Sequence, residues 1–205
     1  MVRMFRLLLA GSAAAIAADA ATAEPAPAPS APALVDAAFV DRVRSHLASD
    51  VVVMSVRNQN AEHTDLSQDD IDRLDAQWRA EREAVARPLI AVTLANPLSN
   101  YLTRIQAHSI GLFTEIFITD AHGLNVGQSN ITEDYWQGDE AKFQRTFPRG
   151  PGAVFLDEPA WHGESATWRV QINLTVDDPE TREPIGAATF EINLTELARR
   201  SAIAR

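Results

Sequence analysis

The hydrophobic period of this chain changes once, near residue 113, and that change limits the folds open to it. Before it, apolar residues recur at spacings of three and four; after it they alternate with polar ones. The first pattern marks helices with one buried stripe, the second strands with one buried face. Helices first and strands afterwards point away from the alternating strand–helix units of parallel sheets. The expectation is an α+β fold, with helices packed on one face of an antiparallel sheet of about five strands.

In the helical half, Val35, Phe39, Val43, Leu47, Val51 and Met54 lie along one side of a long helix over residues 34–61. The cluster "VVVM" at 51–54 could be a strand, but its neighbours favour helix. Ser67 is an N-cap and Asp70 completes a capping box for a second helix. Its stripe is Ile71, Leu74 and Trp78, extending to Val85, and Pro88 should stop it near Arg87. A third helix, about Leu98–Ser109, follows Asn96-Pro97.

In the strand half, "TEIFIT" and "LNVGQS" flank "DAHG", a tight turn with glycine in its last place, and read as a hairpin. "WRVQINLTV" places Val170, Ile172, Leu174 and Val176 on one face and Gln171, Asn173 and Thr175 on the other. "IGAATFEINL" has the same character and is its hairpin partner. A short helix from Thr195 closes the chain.

The N-terminus fixes the compartment. Arg3 and Arg6 precede an apolar run, Leu7–Ala18, and "ATA" at 21–23 supplies a cleavage site. Residues 1–23 therefore read as a signal peptide directing export to the periplasm or outside the cell; a retained anchor is the alternative. The apolar run is too short for a stable membrane span, so none is expected after cleavage. Residues 24–33, "EPAPAPSAPA", form a Pro/Ala linker of extended character. Residues 34–205 are left as one domain. With no cysteine, disulfides, thiolate nucleophiles and Cys-based metal sites are excluded. A formal charge of −10 speaks against nucleic acid as a partner.

Motifs for catalysis are missing. There is no Gly-x-Ser-x-Gly element, and His162 and Ser165 are merely close in the loop "WHGES". The five histidines show no ligand spacing, and no Gly-rich phosphate loop occurs. The densest chemistry is "TEDYWQGDEAK", residues 132–142. Thr132 or Asp134 could cap a helix beginning near Tyr135, in which Asp139, not Glu140, would face Lys142. Asp134, Asp139 and Glu140 could converge on a hard cation, although acids at a helix start are the commoner reason for such a cluster. Tyr135 and Trp136 either wall a ligand site or pack onto the sheet; composition supports both.

The run Glu115–Phe143 resembles periplasmic PAS-like sensor domains of the Cache (PDC) type. In these a phrase like "vTDa-G-nVa-S" on a hairpin leads into "sDYwQGDE-K". Arg169–Leu197 is similar to the family's final hairpin, so the resemblance covers about residues 34–200. It implies a five-stranded antiparallel sheet with the long N-terminal helix on one face. Ligand would sit on the opposite face, beneath the segment 130–165. Asp134, Tyr135, Trp136, Gln137, Asp139, Glu140 and Lys142 match the recurring phrase and are candidate ligand-binding residues. Gln171 and Asn173 on the strand's polar face join them.

Family members are extracytoplasmic parts of histidine kinases, chemoreceptors and cyclases. The resulting expectation is a non-enzymatic, free-standing sensor domain that binds a small polar ligand and conveys occupancy to a receptor or kinase partner, with no cofactor and no metal. Two readings compete with it. One is a structural or docking module that homodimerises through its sheet; the other is an acid/base or metal-dependent hydrolase using Asp139 or His162.

Overall fold

The computed structural model describes residues 26–203. The signal peptide and the first residues of the Pro/Ala linker lie outside the described residues. After a turn of helix, α1 (Ala31–Leu34), the long helix expected over 34–61 proves to be two, α2 (Ala37–Leu47) and α3 (Asp50–Glu62). Ser49, extended at φ −71° and ψ 137°, separates them, and Asp50 lies in the first turn of the second. A helix-start signal thus interrupts an otherwise periodic run. The interruption moves the buried stripe by one position. Phe39, Val43 and Leu47 continue as Val52 and Val56, while Met54 is 60% exposed.

Helix α4 (Gln68–Glu83) starts with the expected capping box of Ser67 and Asp70. It ends at Glu83, before Arg87, and Val85 lies in solvent. Pro88 instead opens a further helix, α5 (Pro88–Ala95). The sequence "PLIAVTLA" is apolar all round, so no period announced it. The buried Glu81 carboxylate accepts from the Ile90 amide at 3.0 Å, satisfying a donor in the first turn of α5. Helix α6 (Pro97–His108) is capped by Asn96, which accepts from the Ser99 amide at 2.7 Å.

The strands are β1 (Phe113–Thr119), β2 (Asn125–Gln128), β3 (Val154–Leu156), β4 (Ala160–His162), β5 (Thr167–Asp177) and β6 (Pro184–Asn193). A short helix, α7 (Ala141–Gln144), lies between the hairpins and α8 (Leu194–Ile203) follows β6. Across the antiparallel sheet the order is β2-β1-β6-β5-β3, with β4 also on β5. Six strands therefore fill five positions. β3 pairs Ile172–Leu174 and β4 pairs Thr167–Arg169 along one edge of β5. Pro159, between them, has no amide with which to continue the ladder. In the first hairpin the Asp120 carboxylate accepts from the amides of His122 and Leu124, each at 2.9 Å. Gly123 takes φ +85°, which the turn requires.

Helices α2, α3 and α6 cover one face of the sheet. There Ile116, Ile118, Ile172, Leu174, Phe190 and Ile192 are almost wholly buried. Each such side chain contributes roughly 1.5–3 kcal/mol on leaving water, so this layer dominates the stability. Phe113 also belongs to it, although strict alternation would put it beside Glu115 and Phe117 on the other face. A bulge resolves the conflict. Phe113 pairs Ile192 while Glu115 pairs Glu191, leaving Thr114 as an extra residue that reverses the parity of β1. Across the sheet, a Cβ on Gly186 would collide with the Thr119 carbonyl and press on Val56. Gly186→Ala is expected to cost about 1–3 kcal/mol, read as a lower urea midpoint at unchanged slope.

Candidate functional site

The face of the sheet turned away from the helices carries Glu115 and Phe117 from β1, Glu191 from β6, and Arg169 and Gln171 from β5. Over these residues runs the segment after β2, and between the two lies a cavity of about 420 Å³. Its roof is formed by residues 130–134 with Gln137, Glu140 and Lys142. This cavity occupies the face of the sheet opposite the helices, beneath the segment 130–142.

The roof is not helical where the sequence suggested a helix. Residues 132–140 run as an irregular strap, and the short α7 begins only at Ala141. The reason is tertiary. Asp75, buried on α4, accepts from the amides of Tyr135 and Trp136 at 2.9 and 3.1 Å. Arg79 bridges Asp75 and Asp134 at 2.7 and 2.9 Å. On the other side the Asn125 amide donates to the Tyr135 carbonyl at 3.0 Å and the Gln137 amide to that of Gly123 at 2.8 Å. The strap is therefore held between α4 and the β1–β2 hairpin, and its amides are engaged by partners far away in sequence.

This arrangement sorts the nine candidate residues. Asp134, Gln137, Glu140, Lys142 and Gln171 line the cavity. Tyr135 does not. It is 5% exposed, stacks on Trp78 with ring centroids 5.2 Å apart, and belongs to a second apolar cluster with Ile71, Ile90 and Leu124. Burial, with Asp120 nearby, pushes its hydroxyl up to about 12, so it stays neutral. Trp136 is half-buried on the outer side of the strap, its indole N–H donating to the His122 carbonyl at 2.8 Å. Together with Asp139 it borders a shallow groove against α4. The aromatic pair therefore forms no wall of the cavity. Asn173 is fully buried on β5 beside β3, accepting from Thr189 at 2.8 Å and donating to the Phe155 carbonyl at 3.2 Å. Lys142 pairs with Glu140 at 3.0 Å rather than with Asp139, because no helix sets the expected spacing.

Several lining residues escaped the sequence reading: Thr114, Glu115, Glu133, Arg169 and Glu191. A signal for two of them existed. Glu115 and Glu191 interrupt "TEIFIT" and "TFEIN" on the face opposite the buried isoleucines, where an acid inside a strand needs a reason. Arg169 donates to Glu191 at 2.8 Å, and the Lys142 ammonium lies 5.4 Å above the Phe117 ring. Five carboxylates and two cations line the cavity, so its field is negative. Asp134, Glu140 and Glu191 have cationic partners. Among the described residues Glu115 forms no ion pair, and burial, then Glu191, push its carboxyl up to about 7, against a smaller opposing pull from Lys142.

Elsewhere, His162 Nδ1 and Ser165 Oγ are 2.8 Å apart at an exposed turn, and Ser165 Oγ is 2.7 Å from Thr167 Oγ1. Among the described residues no helix is long and apolar enough to cross a membrane.

No protein-family model and no curated protein matches this sequence. Solved structures do. The ligand-binding domain of the Pseudomonas aeruginosa PAO1 amino acid chemoreceptor PctC, in complex with GABA, is 12% identical with a TM-score of 0.35, over 80% of this chain and 63% of that one. The ligand-binding domain of the Campylobacter jejuni chemoreceptor Tlp3, in complex with 4-methylisoleucine, is 10% identical with a TM-score of 0.39, over 76% and 62%. The sensor domain of the V. cholerae histidine kinase DctB is 11% identical with a TM-score of 0.33, over 79% and 58%. The chain spans less than two thirds of the length of these three. All three are sensor or ligand-binding domains of receptors and kinases.

Proposed function

We propose that this protein is an exported, non-catalytic binding domain whose ligand is a small polar molecule with a cationic group, and that it conveys occupancy to a receptor or kinase partner. The observation that carries the reading is the roofed cavity over the polar face of the sheet, with Glu115 on its floor and, among the described residues, no ion-pair partner for it. An ammonium or guanidinium group seated there would satisfy the carboxylate and draw it into its ionised form. Gln137 and Gln171 supply amide donors and acceptors for the rest of the ligand, and Lys142 and Arg169 can meet an anionic end. Action outside the cytoplasm is supported by the leader-like N-terminus.

The test is a thermal-shift screen of amines, amino acids, carboxylates and inorganic cations at pH 8. A ligand present at a hundred times its Kd adds about 2.7 kcal/mol to stability, which such a screen reads readily. Amine-bearing compounds should raise the melting temperature of the native protein and fail to raise that of Glu115→Gln. Trp136→Ala, outside the cavity, should still respond. A response confined to carboxylates would sink the cationic assignment. No response across the whole library would favour the docking module instead.

A further inference from the structure

On the opposite side of the sheet, a second crevice of about 520 Å³ opens between α2, α6 and the start of β1. Its walls are Phe39, Val43, Tyr101, Ile105, Leu112 and Phe113. Its volume falls within the roughly 300–1,000 Å³ range of small-molecule sites. The polar groups around it are basic or neutral: Arg42 and His46 from α2, Arg104, His108 and the Tyr101 hydroxyl from α6, and the Ser109 hydroxyl. No carboxylate lines it, in a protein whose formal charge is −10.

Neither arginine is committed elsewhere. Among the described residues Arg42 and Arg104 form no ion pair, so both guanidinium groups are available at the mouth of the crevice. Arg42 lies over the Phe39 ring at 5.2 Å, so its charge is held at the rim beside the apolar wall. The two arginines are exposed, whereas Phe39, Val43 and Phe113 at the bottom are buried. His46 is half-buried; burial lowers its affinity for protons, which suits a neutral hydrogen-bonding group at the apolar end. The His108 ring is anchored to the Arg104 carbonyl at 2.8 Å.

An apolar slot with uncommitted guanidinium groups at its mouth matches one ligand chemistry, a hydrocarbon tail ending in a carboxylate. We propose that this crevice binds a free amphiphilic monocarboxylate of medium chain length, its tail between α2 and α6 and its carboxylate at Arg42 and Arg104. The assignment is independent of the acidic cavity, which has the opposite charge and lies on the other face.

Isothermal titration of the exported protein with sodium decanoate, below its micelle concentration, tests this directly. Decanoate should bind one to one, and in Glu115→Gln, where the amine cavity is disabled, decylamine should bind at least about tenfold more weakly than decanoate, since its head group has the opposite charge. The double variant Arg42→Glu/Arg104→Glu alters only exposed positions and should keep the native melting temperature while losing decanoate binding. Glu115→Gln should leave decanoate binding unchanged, which separates this site from the amine cavity. The proposal is overturned if decanoate does not bind, if decylamine binds Glu115→Gln as well as decanoate does, or if the charge reversal has no effect. Co-sedimentation with phosphatidylglycerol vesicles in the absence of decanoate binding would also overturn it, because the surface would then recognise a membrane rather than a free acid.

Discussion

Trp78→Ala should remove about 3–5 kcal/mol of stability and release the roof of the acidic cavity with it. Trp78 has no solvent exposure, stacks on Tyr135, and donates its indole N–H to the Thr132 carbonyl at 3.0 Å. Truncation leaves a cavity in the second apolar cluster and takes away a buried hydrogen bond that helps to fix the start of the strap. Domains of this size are stable by only about 5–15 kcal/mol, so the loss is a large fraction of the total. Trp78→Phe retains most of the volume and the stacking but not the N–H, and should cost about 1–3 kcal/mol. Urea denaturation measures both. If Trp78→Ala unfolds within about 1 kcal/mol of the native protein, the cluster is not what holds the strap down.

Glu115→Gln should do the opposite at alkaline pH and make the protein more stable. The carboxyl ordinarily titrates near 4.5 and is held at about 7 in the fold. Well below 4.5 it is protonated in both states and contributes no difference. Between 4.5 and 7 the unfolded chain ionises while the folded one keeps its proton, so stability falls as pH rises. Above 7 the full penalty of an ionised, half-buried carboxylate remains, at most about 3 kcal/mol by the usual conversion. Glutamine cannot ionise. The variant should therefore match the native protein near pH 4.5 and exceed it at pH 8, while losing affinity for amines. Paired urea curves at the two pH values decide it. A variant less stable than the native protein at pH 8 would mean that the carboxylate is already well paired, leaving no vacancy for a cation.

What local sequence could and could not reveal follows from where each partner lies. The first hairpin was legible because Asp120 and Gly123, which shape its turn, sit inside the turn itself. The start of α4 was legible because Ser67 and Asp70 satisfy one another within three residues. The strap was not, because the groups that hold the Tyr135 and Trp136 amides belong to Asp75, some sixty positions earlier. An isolated reading of "TEDYWQGDEAK" supplies capping acids and helix-compatible spacing, and those local signals lost to a buried carboxylate on α4. The same remoteness misled the expectation for Tyr135, whose stacking partner Trp78 was itself correctly placed on a buried stripe. For the floor of the cavity, Gln171 was found by alternation alone, and the same alternation in β1 and β6 would have found Glu115 and Glu191.

The extra residue in β1 has a thermodynamic corollary. Because Thr114 reverses the parity of the strand, Phe113 faces the apolar crevice while Glu115, two positions on, faces the acidic cavity. Two compartments of opposite charge thus share one short piece of backbone. If filling either shifts that piece, the two ligands are linked, and linkage is reciprocal: whatever factor a fatty acid applies to amine affinity, the amine must apply to the fatty acid. A bulge that looks like a local irregularity would then be the point at which a single strand compares two chemically opposite signals.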